Sequence, residues 1–142
     1  MKKKNQLALD VYNRMMETDY FSKWMDLEPI SIEEGHCKLR MKVRKEMLNG
    51  HGIIHGGVTF ALADSAFAFA SNSYGRLSVS MNGSMAYVKP AKEGDILIAE
   101  AHMESIGNKT STFDVVVYNE LSKQKVGLFR GTVYRTSKEV LS

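Results

Sequence analysis

The chain opens on a helical period. Leu7, Val11 and Met15 recur every four residues with Ala8, Tyr12 and Met16 beside them, which predicts an amphipathic helix over about residues 4–17. The segment "TDYFSKWMDLEP" follows as a short helical or irregular connector that ends before Pro29. The period then becomes two. Ile30 and Ile32 point one way. After the turn signal Glu34-Gly35, the residues Cys37, Leu39, Met41 and Val43 form one apolar face, so the pair reads as a hairpin.

Next comes the glycine-rich loop "NGHGIIHGG", leading into "GVTFALADSAFAFASNS", a helix apolar almost all round that stops at Tyr74-Gly75. Four β-rich runs complete the chain: "LSVSMNGSMAYVK" up to Pro90, "DILIAEAHMESIG", "TSTFDVVVYNE" and "KVGLFRGTVYRT". No repeat or linker interrupts them. The pattern predicts an α+β fold in one domain, residues 1–142. Six mostly hairpin-connected strands form one antiparallel sheet, and the long apolar helix packs in its concave face because it has no side to show to water. The N-terminal helix is an addition to that unit.

Asp64 breaks the apolar helix. At one-turn spacing its neighbours are Phe60, Ala61, Phe67 and Ala68, none of which can pair with a carboxylate. An unpaired buried charge costs several kcal/mol or forces the group to neutralise. A lone Asp of this kind ordinarily faces a solvent-filled groove, but the preceding loop changes the reading. Gly56 and Gly57 stand where the helix begins. Its first N–H groups there lack internal partners, and the bare backbone lets a ligand come close. Such donors suit an oxygen that gains negative charge, as in acyl transfer. Gly56 and Asp64 are eight residues apart, roughly 12 Å along a helix axis. One chain cannot aim both at one carbonyl. Two antiparallel copies of the helix about a two-fold axis can, so the site is expected to span a dimer interface.

Composition narrows the partners. Of 142 residues, 44% are apolar and 25% charged, which excludes a disordered or fibrous chain. A net charge of +3 is too weak to imply nucleic acid and suits a small anionic ligand as well. Lys2, Lys3 and Lys4 read as a solvated end. No apolar run of membrane-spanning length follows them, so no membrane association is expected. Cys37 is the single cysteine, which points to a reducing, cytoplasmic setting.

Together the elements Asn-Gly-His-Gly, His-Gly-Gly and Leu-Ala-Asp in "NGHGIIHGGVTFALADSAFAFASNS", followed by "AYVKPAKEGD", closely resemble the PaaI-type acyl-CoA thioesterases of phenylacetate degradation, over about Trp24 to Arg135. The resemblance implies the hotdog fold, a six-stranded antiparallel sheet wrapped around the central helix. It implies hydrolysis of an aryl-acyl (phenylacetyl-type) or medium- to long-chain acyl-CoA to the free acid and CoA. Asp64 then matches the catalytic carboxylate, as nucleophile or general base. Gly56 and Gly57 match the backbone donors, Asn49 a polar residue near the reacting group, and His55 the histidine that fixes loop and substrate. Ser78 lies about where some relatives place a hydroxyl. Lys109 in "GNKTS", with Lys89 and Arg130, are candidates for the CoA phosphates. No separate cofactor or metal is expected, since CoA is part of the substrate. A dimer with shared sites, pairing again to a tetramer, is the implied assembly.

Other chemistries fit less well. His51 and His55, with His36-Cys37 upstream, lack the spacing of a metal motif. Ser65 sits in no G-x-S-x-G elbow, so a serine hydrolase is rejected. A hotdog dehydratase would need a His–acid pair. A non-catalytic acyl-CoA sensor would lack the acid, which Asp64 supplies.

Overall fold

In the computed structural model, which describes residues 2–142, the expected periods become the expected elements. The Lys2 side chain and Met1 lie outside the described residues; Lys3 and Lys4 are exposed. Helix α1 (Lys2–Met16) and a short α2 (Tyr20–Trp24) precede strands β1 (Glu28–Glu33) and β2 (His36–Lys42). The long helix α3 (Gly56–Asn72) follows, then β3 (Arg76–Tyr87), β4 (Ile96–Ile106), β5 (Thr110–Asn119) and β6 (Lys125–Glu139). Alternation accounts for β2: Cys37, Leu39, Met41 and Val43 are all buried, with polar residues between them on the other side. Cys37 serves as a small apolar core residue, its thiol pushed up by burial.

The sheet is antiparallel throughout, in the order β1-β2-β4-β5-β6-β3. Three neighbouring pairs are hairpins in sequence, but β3 is carried by α3 to the far edge and pairs there with β6. Leu62, Ala63, Ala66, Phe67, Phe69 and Ala70 of α3 are buried among the sheet's inner residues. Phe67 lies against Phe113 and Phe129 at tilted or edge-on angles. Gly131 allows this closeness, since a Cβ there would stand 2.8 Å from the Phe67 ring.

The expectation for β1 needs correcting. Ile30 and Ile32 do not share a face: the register slips between Pro29 and Ser31, leaving Ile30 as the extra residue of a bulge. Ile30 is exposed, whereas Ile32 packs on the core.

Among the described residues, α3 and β3 each leave an apolar surface open. One is a stripe on α3, where Val58, Phe60, Ala61, Asp64 and Ala68 are only half-buried although Leu62, Ala63, Ala66, Phe67, Phe69 and Ala70 are enclosed. The other is β3, a twelve-residue edge strand carrying exposed Val79 and Met81. An edge so long and apolar is a template for pairing with another chain. Among the described residues, no helix is long and apolar enough to cross a membrane.

Candidate active site

The loop before α3 is organised by two side chains. Asn49 accepts the N–H of His51 at 2.9 Å on Oδ1, and its own N–H donates to the Ile53 carbonyl at 2.8 Å. The tight turn fixes Asn49 half-buried, with its amide NH₂ still available. His55 is the N-cap of α3, extended at φ −65° and ψ 133°, and its Nδ1 accepts the Gly57 N–H at 2.8 Å. Of the two glycine donors expected, His55 therefore takes that of Gly57. The Gly56 N–H has no partner among the described residues.

That free donor opens into a cleft of about 360 Å³. Asn49, Ile53 and Gly56 form one wall, Tyr87 and Val88 at the end of β3 another, with Lys89 at the mouth. Gly56 lies beneath Tyr87: a Cβ there would be 3.3 Å from the Tyr87 ring. Thr59, one turn along α3, also lines the cleft, and its buried hydroxyl has no hydrogen-bond partner. Neither Tyr87 nor Thr59 stands out in the sequence. Both become legible once β3 is placed beside the start of α3.

Asp64 is absent from this cleft, as the helical rise requires. It lies on the open stripe of α3 and makes no hydrogen bond among the described residues. Burial raises its pKa above the ordinary carboxylate value, and the nearby negative charge of Asp19 raises it further. Asp19 is held there by a short chain. It caps α2 by accepting the Ser22 N–H at 3.0 Å and the Ser22 hydroxyl at 2.7 Å, and Ser22 Oγ meets Ser65 Oγ at 2.9 Å. Ser65, set aside as a nucleophile, thus anchors α2 beside Asp64. Asp19→Asn keeps the cap and removes the repulsive charge. If the ionised Asp64 is the active form, the acid limb of kcat/KM is expected above the ordinary carboxylate range in the wild type. In Asp19→Asn the limb should move to lower pH, read from initial rates across pH.

The remaining expected residues separate. Ser78 lies at the far end of α3 from the cleft. It is buried, its hydroxyl donates to the Arg76 carbonyl at 3.1 Å, and its N–H bonds Asn72 at the far end of α3. The polar residue of β3 level with Asp64 is Ser80. Gly83 stands over Phe60 and Ser78 is tied to Asn72, so Ser80 falls between them. It is paired with buried Val133 and so shares the inner face. A bulge at Met81 shifts this alternation, which is why counting along the sequence missed it. Arg130 is committed elsewhere: its Nε and Nη2 hold Asp114 at 2.6 and 2.8 Å, a bidentate pair that raises the Arg130 pKa. Lys109 is exposed in the β4–β5 turn, beside Arg135 and so near the opposite end of β3 from the cleft.

A family model described as Thioesterase superfamily matches residues 51–125. A putative esterase of Archaeoglobus fulgidus is 41% identical over 137 residues, covering 96% of this chain and 88% of that protein. The Escherichia coli acyl-coenzyme A thioesterase PaaI is 39% identical over 121 residues, 85% of this chain and 86% of that one. The solved structure of E. coli PaaI, described as from the phenylacetic acid degradation operon, superposes with a TM-score of 0.92 at 35% identity. It covers 95% of this chain and 97% of that one.

Proposed function

The chain belongs to the thioesterase superfamily and is a thioester hydrolase, and from that premise we propose how it acts and on what. The substrate is an acyl-CoA, with an aryl-acyl group of the phenylacetyl type or a medium to long aliphatic chain. The relative named acyl-coenzyme A thioesterase PaaI supports the CoA ester, and its operon supports the aryl group.

The observation that carries the mechanism is the separation of the free Gly56 N–H, in the cleft, from Asp64, outside it on the open stripe of α3. Two chains that join their β3 edges antiparallel and face their α3 stripes complete two sites at once. In each, the Gly56 N–H of one protomer polarises the thioester carbonyl, aided by the helix dipole and the Asn49 amide. The partner's Asp64 attacks the carbonyl carbon or takes a proton from the water that does. The C–S bond breaks, CoA leaves as the thiol, and water supplies the hydroxyl of the acid released. A thiolate leaves readily, so one carboxylate with backbone donors suffices without a triad. His55 acts by fixing the loop that presents Gly56. The same pairing turns the Lys109 end of β3 toward the other protomer's Lys89, which gathers both lysines near one mouth for the phosphates. Two such dimers pair again into a tetramer.

The test is release of free thiol from a panel of thioesters: phenylacetyl-, hydroxybenzoyl- and C4 to C16 acyl-CoA. Turnover on at least one, with kcat/KM highest for an aryl or medium to long acyl group, is expected. Tight binding without hydrolysis across the panel overturns the catalytic reading in favour of an acyl-CoA sensor.

A further inference from the structure

Far from the cleft, β2 and β4 bring three metal-ligating side chains onto the outer face of the sheet. His36 and His102 stand directly opposite in antiparallel register. Glu100 precedes His102 by two residues and so projects from the same side. Their neighbours Cys37, Ala99 and Ala101 are buried on the inner side, which places the three on the face away from α3. His36 Nε2 lies 2.7 Å from Glu100 Oε2, and His102 Nε2 lies 3.7 Å from the same oxygen. One ligand atom from each falls within 4.8 Å of the others. Ligands around a tetrahedral zinc ion, at about 2.0–2.2 Å each, sit roughly 3.4 Å apart. The separations of 2.7 and 3.7 Å to the Glu100 oxygen bracket that spacing.

We propose that His36, Glu100 and His102 form a divalent-cation site suited to Zn²⁺. Two imidazoles and one carboxylate are a borderline donor set that Zn²⁺ accepts. Three protein ligands leave a position open to water or an anion. A recess of about 470 Å³ beside Glu100 and His102 gives it room, and Lys123 and Lys125 on its wall suit an anionic fourth ligand. A dimer joined through β3 leaves β2 and β4 uncovered, several strands away. The site is therefore separate from the proposed catalysis. No spacing motif announces it, because His36 and Glu100 are 64 residues apart in the chain.

The experiment is titration of ZnCl₂ into tag-free, EDTA-stripped full-length protein by calorimetry in phosphate-free buffer. One Zn²⁺ per chain is expected. Affinity should fall at least about ten-fold in His102→Ala and in Glu100→Gln and stay unchanged in His51→Ala, which alters an exposed loop. Stoichiometry well below one, equal affinity in the two site variants, or loss in His51→Ala overturns the proposal. Electron paramagnetic resonance of the Cu²⁺-loaded wild type gives a reading independent of variant folding. Coupling to two imidazole nitrogens is expected, and the absence of nitrogen coupling also overturns the site.

Discussion

Asp64→Asn is expected to lower kcat for the preferred thioester by roughly 10³-fold while changing KM little. The substitution keeps the shape of the side chain and removes the ability to attack carbon or hold a proton. Asp64 makes no hydrogen bond among the described residues and sits half-buried on an otherwise apolar stripe. The variant therefore breaks no native contact, and the stability of the fold should be unchanged or slightly raised, because a poorly solvated charge is removed. Rates from thiol release and a denaturation midpoint on the same preparation separate the two effects. Retention of most of the rate would sink the assignment. The role of the carboxylate is read in a single turnover of the wild type in H₂¹⁸O. Label in the Asp64 side chain identifies a nucleophile, because a general base never forms the anhydride through which water oxygen enters the carboxylate.

The parts of the molecule legible in the sequence are those set by one period. The buried face of β2 and the long helix α3 follow from the spacing of apolar residues, and the oddity of Asp64 follows from its neighbours on that helix. What escaped depends on which strands meet. A chain of hairpins describes most of the sheet, but α3 carries β3 to the far edge beside β6. That crossover brings Tyr87 over Gly56. Single-residue bulges defeat counting by two: one at Ile30 turns it outward, and one at Met81 resets the alternation that leads from Ser78 to the later residues of β3. Arg130 looks like a free cation until β5 sets Asp114 opposite it. His55 and Gly57 are a subtler case. The motif marks both as site residues, yet only three dimensions show that one satisfies the other and leaves the Gly56 N–H without a partner among the described residues.

A shared site has a consequence that no single-chain arrangement reproduces. Gly56→Pro removes the proposed donor N–H with little change to the backbone. The position is the first residue of α3, where proline is favoured. The residue before it, His55, is already extended as a following proline requires. The added Cβ meets the exposed Tyr87 side chain, which can swing aside. Loss of one such donor is expected to cost about 10²–10³ in kcat. Each variant alone should therefore be nearly inactive. Mixed and reassembled from urea in equal amounts, about half of the dimers contain one chain of each kind. In these, the Asp64→Asn chain supplies an intact Gly56 and the Gly56→Pro chain an intact Asp64, so one site of the two is whole. Activity should recover to roughly a quarter of the wild-type value, far above either parent. A site built within one chain would regain nothing on mixing, so a mixture no more active than its parents rejects the two-chain site even if both single losses are as large as expected.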